Sequence, residues 1–220
     1  MDEYLSEKEQ IERLRQWLAE NGRSIATGLL LGLAAVAALW WWRPYRDHQL
    51  AEASSAYAEL VDAADAGQRD KAIELAKKLD DYWRTPYGMQ GALVLARMYM
   101  DTDEPEPAAE QLQKVVNEAH DDELVQIARL RLARVRLYQQ QADEALKIIG
   151  TDNPGKFAPL YHEARGDILY ALKRNDEARA EYEQALATLD PALADRTLLE
   201  MKLNDVAAAP PPDAAADAGS

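Results

Sequence analysis

Cysteine is absent from the chain. That removes disulfides, thiolate metal sites and cysteine nucleophiles together, and it suits a bacterial periplasmic protein that needs no oxidative staple. Phenylalanine appears once, and glycine and proline ten times each in 220 residues. β-Branched residues are sparse, and no run alternates as a half-buried strand requires. Positive charge is also short: 25 Lys and Arg stand against 39 Asp and Glu, for a net charge of −14. A surface of that sign repels phosphate backbones, so no nucleic-acid partner is expected. No glycine loop cradles a phosphate, and His162-Glu163 lacks the second histidine of a zinc-binding helix. The other histidines, His48 and His120, lie far off in the sequence. Two acidic clusters, Asp101-Thr102-Asp103-Glu104 and Asp121-Asp122-Glu123, do not have the spacing of a calcium loop. They read as connectors that place acids at the start of the next helix, where its dipole favours them. No catalytic, cofactor-binding or metal-ligating residue is expected, and the chain reads as a non-enzyme.

Alanine, leucine, glutamate, arginine and glutamine are abundant, and all lose little freedom in a helix. The apolar fraction is 48% while mean hydropathy is only −0.45, because alanine supplies much of that fraction. The expectation is an all-α protein.

From Ser24 to Trp42 the chain reads SIATGLLLGLAAVAALWWW, bracketed by Arg23 and Arg43 with no charge between. As a helix this run reaches roughly 28 Å, about the hydrocarbon thickness of a bilayer. Trp40, Trp41 and Trp42 then fall where aromatic rings settle, at the lipid–water boundary. A cleaved signal peptide is one alternative, since Ala35-Val36-Ala37 resembles a cleavage triplet. The preceding 23 residues, however, hold six acids against four bases, unlike a short positive leader. A buried core helix is the other, but core helices carry a polar face and this run has none. We therefore read residues 24–42 as a transmembrane anchor in contact with membrane lipid. Gly28 and Gly32 form a small-xxx-small pair that can seat a neighbouring helix. Four Lys or Arg in residues 1–23 favour a cytoplasmic N-terminus. Within that tail, Ser6 to Asn21 is predicted as an amphipathic helix. Ser6 and Glu9 form a capping box, Ile11, Leu14 and Leu18 recur at helical spacing, and Asn21-Gly22 is a stop signal.

Beyond Arg43 the pattern is one of helix pairs. Ala72, Ala108, Ala145 and Ala178 recur at intervals of 36, 37 and 33 residues, close to the 34-residue tetratricopeptide period. Twelve residues before each stands Leu60, Ala96, Ala133 or Gly166, the small position of a first helix. Four residues after comes Ala76, Leu112, Ile149 or Tyr182, the bulky position of the second. Seven residues after comes Leu79, Val115, Asp152 or Ala185. The first repeat is degenerate, with a large residue in the small position, and the third loses the end of its second helix to Gly150 and Pro154. A last helix over 191–206 is predicted to cap the solenoid. The repeat domain is placed at 43–206, and residues 207–220, rich in Pro and Ala, are expected to be disordered. Solenoids bind through the face that first helices line. Alignment of the repeats puts Tyr57, Leu93, Arg97, Leu130, Arg134, Tyr138, Asp167 and Tyr170 near that face as a candidate protein-binding groove.

The chain resembles the YfgM-type ancillary subunits of the SecYEG translocon from about residue 4 to residue 206. The likeness is carried by WLAENGRSIATGLLLG, RLRLARVRLYQQQADEAL, ARGDILYALKRNDEARAEYE and MKLND, in that order. It implies an inner-membrane protein with a periplasmic tetratricopeptide-like domain. The implied partners are SecYEG, the periplasmic chaperone PpiD and exported client proteins, and the implied role is that of an adaptor or chaperone in export. Two other functions fit the anchored repeats: a scaffold for envelope assembly or cell division, and a regulator acting through the cytoplasmic tail.

Overall fold

The computed structural model describes residues 7–82, 85–150, 155–190 and 196–208. Among them the secondary structure is helical throughout, without strands. The described residues form nine α-helices: α1 (Glu7–Asp65), α2 (Arg69–Asp80), α3 (Pro86–Asp101), α4 (Pro105–Glu118), α5 (Asp122–Tyr138), α6 (Ala142–Ile149), α7 (Ala158–Ala171), α8 (Asn175–Thr188) and α9 (Thr197–Ala208). The chain forms two compact units, Met1–Glu52 and Ala53–Ser220.

In the first unit, α1 runs without a break through the tail and the apolar run. Asn21-Gly22 does not end it. A glycine stop needs the left-handed conformation, and Gly22 stays helical, while the Asn21 amide donates to the Trp17 carbonyl at 3.0 Å. Ser6 of the expected capping box lies outside the described residues. Pro44 sits inside the helix and offers no N–H to the carbonyl one turn back. By length and composition α1 can cross a membrane, and none of its most apolar window is buried. That exposure removes the core-helix alternative. Leu29, Leu30, Leu31 and the three tryptophans all face outward.

The second unit begins its packing at Ala53, the first buried residue of α1, rather than at Arg43. From α2 onward its helices pack in chain order, each against the next. The four signature alanines, Ala72, Ala108, Ala145 and Ala178, are fully buried, each within a core cluster or its helix's buried face. Opposite them the small and bulky positions are matched in size. Gly166 faces Tyr182 so closely that an added Cβ would lie 2.4 Å from the ring. In the first repeat the sizes are reversed, with Leu60 in the small position and Ala76 in the bulky one, in one core cluster. Gly91 of α3 completes the exchange, since a Cβ there would meet Leu79 at 2.9 Å and Leu60 at 3.4 Å. The apparent degeneracy is therefore a volume swap, which close-packed cores tolerate.

Each first helix ends in the same turn. Gly67, Asp103, Gln140 and Lys173 have φ of 67°, 59°, 63° and 63°, and lie five residues before the four alanines. The following N–H reaches back to the helix: Gln68 to Ala63 at 2.8 Å, Glu104 to Tyr99 at 2.8 Å, Gln141 to Arg136 at 2.9 Å and Arg174 to Leu169 at 2.9 Å. This is the double-bonded termination that left-handed residues make. Asp121 caps α5 as the acidic-connector reading expects, accepting from Glu123 and Leu124 N–H at 2.9 and 3.2 Å. α6 stops at Ile149, where Gly150 takes φ 61°, and Asp152 lies outside the described residues. α9 covers the last repeat through Leu199 and Val206, which join Leu169, Tyr182 and Ala185 in one cluster. It runs from Thr197 and carries Ala207 and Ala208, so the helix extends past the expected start of the tail, while the expected helix start at 191 lies outside the described residues. The rest of that tail lies outside the described residues.

Candidate functional site

First helices of three successive repeats wall one groove of about 260 Å³. Tyr57 and Val61 come from α1, Gln90, Leu93, Val94 and Arg97 from α3, and Arg131 from α5. The helical repeat of 3.6 residues explains the set: 90, 93, 94 and 97 share one face of α3. Leu93 is buried, while Tyr57, Val61, Gln90 and Val94 are half-buried, so apolar surface stays accessible along the floor. The Tyr57 ring is steadied by Tyr87, with centroids 5.4 Å apart and planes tilted by 39°. Arg97 is half-exposed and pairs with Asp65 at the end of α1. Arg131 is exposed and makes no hydrogen bond or ion pair among the described residues.

Of the eight groove residues expected from sequence, Tyr57, Leu93 and Arg97 come together here. The other five do not join them. Leu130 is buried with Ala133, Ala145, Tyr161 and Ile168, and serves packing between repeats. Arg134 and Asp167 belong to an ionic cluster that fastens α9. Arg134 lies 3.6 Å from Glu163, and the Lys202 ammonium of α9 reaches Glu163 and Asp167 at 2.7 Å each. The Tyr182 hydroxyl donates to Asp167 at 2.8 Å. Burial and the neighbouring Asp167 charge push the Tyr182 phenol far up from its ordinary value. Tyr138 donates to Asp103 of the preceding repeat at 2.6 Å, which raises its pKa, and its ring stays largely exposed. Tyr170 lies under the Lys173 ammonium at 5.9 Å.

Arg131 escaped the sequence reading because repeat alignment selects Arg134, one turn further along α5. The signal was there: Arg131 occupies the repeat position of Val94, itself a groove residue. In the first unit, a Cβ on Gly28 or Gly32 would meet nothing within 4 Å. Among the described residues, nothing packs against that stripe of α1.

The family described as tetratricopeptide repeat-like domain matches residues 15–208. The chain is 32% identical to the ancillary SecYEG translocon subunit of Escherichia coli (strain K12), over 94% of this chain and 99% of that protein. It is 27% identical to the protein of the same name from Neisseria gonorrhoeae, over 94% of this chain and 100% of the relative. To the Haemophilus influenzae protein of that name it is 24% identical, over 92% and 98%.

Proposed function

The chain belongs to the family of ancillary SecYEG translocon subunits, built on a tetratricopeptide repeat-like domain, and from that premise we propose that it is a membrane-anchored adaptor between the translocon and periplasmic chaperones. In this reading residues 24–42 cross the inner membrane, residues 1–23 stay in the cytoplasm, and residues 43–206 stand in the periplasm. Exported proteins leaving SecYEG meet the repeat domain and pass to periplasmic chaperones, PpiD among them. The protein works by binding, with no reaction assigned to any residue.

The observation that carries this reading is the extent of the likeness. It runs over nearly the whole of the Escherichia coli subunit, so that anchor and repeats are matched together rather than the repeats alone. Two features support it. The run from Ser24 to Trp42 is uncharged and exposed, as a lipid-facing helix must be. The groove between α1, α3 and α5 combines accessible apolar side chains, a tyrosine and two arginines, the residue types that dominate protein-binding surfaces.

The test is photo-crosslinking in living cells, with probes at Gly32 and Tyr57. Gly32 is expected to crosslink to a translocon subunit, and Tyr57 to a chaperone or an exported chain. An anchor that finds only lipid, with a groove that finds one folded envelope protein, would leave a membrane-anchored scaffold and overturn the translocon link.

A further inference from the structure

We infer that the groove between α1, α3 and α5 holds an extended protein segment in which a bulky apolar side chain stands beside a single carboxylate. This rests on the adaptor reading and adds the chemistry of what is held.

Size comes first. A volume of about 260 Å³ falls below the roughly 300–1,000 Å³ of small-molecule pockets. It suits one or two side chains of a passing segment. The floor of Val61, Leu93 and Val94 asks for an apolar side chain, and Tyr57 adds a flat wall braced by Tyr87. Gln90 offers an amide, with donor and acceptor both, to the segment's backbone.

Charge selects the second feature. The chain has 39 acids for 25 bases, so an arginine here has carboxylates in excess from which to draw a partner. Yet Arg131 stands on the groove wall with no hydrogen bond or ion pair among the described residues. α5 itself, beyond its first turn, carries four arginines and no acid. Of the four, Arg136 is engaged by Glu106 and Glu144 and Arg134 by Glu163, while Arg129 and Arg131 make no ion pair among the described residues, and of these two Arg131 lines the groove. At the groove, Arg97 is balanced by Asp65, which leaves one uncompensated positive charge at Arg131. One positive charge matches one carboxylate, which a guanidinium binds through two parallel N–H donors. A polyanion such as a phosphorylated segment would meet the same arginine but also the field of a chain with net charge −14. The groove thus favours a monoanionic, apolar segment, with Asp, Glu or a chain-terminal carboxylate as the anion.

The experiment measures fluorescence anisotropy with the full chain in detergent micelles. The probes are three fluorescein-labelled Gly/Ser peptides carrying a central Leu-Glu, Leu-Gln or Ala-Glu pair. Leu-Glu is expected to bind on the order of 10- to 100-fold more tightly than Leu-Gln, the range set by one charged hydrogen-bonded contact. Ala-Glu should also bind more weakly. Arg131→Ala should erase the preference for Glu over Gln while keeping that for Leu over Ala. Arg131→Glu should reverse the charge preference toward a Leu-Lys peptide. Circular dichroism of both variants, whose substituted side chain is exposed, checks that the fold is kept. Equal affinity for Leu-Glu and Leu-Gln, no binding of any peptide, or a preference untouched by either variant would overturn the inference. So would displacement of the peptide by inorganic phosphate at fixed ionic strength, which would make the site an anion site instead. Crosslinks from Tyr57 to chaperones or exported chains, found together with peptide indifference, would sink the inference and spare the adaptor reading. Absence of those crosslinks would sink the adaptor reading itself.

Discussion

Gly166→Ala sets two effects of known sign against each other. In the middle of α7 an alanine is better than glycine by about 1 kcal/mol, because it restricts the unfolded chain and shields the backbone. Against that, the new Cβ would lie 2.4, 2.6 and 2.9 Å from three carbons of the Tyr182 ring. Contacts this short force a movement, and the ring has little room. Tyr182 is 1% exposed, packed among Leu169, Ala178, Ala185 and Leu199, and its hydroxyl is held by Asp167. Overpacking of a tight core costs about 1–3 kcal/mol. If the ring swings aside, the hydrogen bond to a charged acceptor is lost as well, at about 1.5–3 kcal/mol. Subtracting the helix gain leaves a net loss of about 2 kcal/mol. For a domain of this size that lowers Tm by roughly 4–8 °C. The assay is thermal unfolding of the full chain in micelles, followed by far-ultraviolet circular dichroism. Gly28→Ala, whose Cβ meets nothing within 4 Å, serves as the control and should show no drop. The double variant Gly166→Ala with Tyr182→Leu should lose less than the sum of its parts, since the smaller side chain removes the clash. A Tm for Gly166→Ala equal to or above that of the parent would refute the size-matching account of these repeats.

Three other perturbations bear on the same unit. Gln140→Gly relieves a left-handed residue that has no glycine freedom, and should stabilise by about 1 kcal/mol in denaturant unfolding, whereas Gly67→Ala should cost about as much. Tyr182→Phe tests the alkaline limb. The folded phenol's pKa is raised, so its contribution is complete below the ordinary tyrosine pKa and is lost as pH rises above it. The parent should therefore lose about 1.4 kcal/mol per pH unit above pH ~10 that the variant does not lose, read from denaturant midpoints between neutral and alkaline pH. Lys202→Met leaves Glu163, 16% exposed, facing only Arg134 and leaves Asp167, 25% exposed, with only the Tyr182 hydroxyl. It should destabilise by about 2 kcal/mol and raise amide exchange in α9 before the rest of the domain.

The ionic cluster under α9 and the turns between helices explain why part of the groove escaped the sequence. Arg97 and Arg134 occupy equivalent places in successive repeats, yet one lines the groove and the other bonds Glu163. A repeat alignment treats them alike, because their difference comes from partners distant in sequence. Leu130, aligned near Leu93, is drawn into the core by Tyr161 and Ile168. Asn21-Gly22 misled for the opposite reason. Stop residues are weak preferences, and the helical apolar run that follows overrides them.

The sequence by itself determined the uncharged span from Ser24 to Trp42, the helical class and the register of the alanines. These depend on local periodicity, and a buried small residue must recur wherever helices cross. Only the tertiary structure decided that Leu60 and Ala76 exchange sizes, that Asp103, Gln140 and Lys173 do a glycine's work in the turns, and that Arg131 stands on the groove wall without a partner among the described residues. Each of these is set by which residues of neighbouring helices meet in space, and spacing along one chain does not encode the charge or volume found across a helix interface.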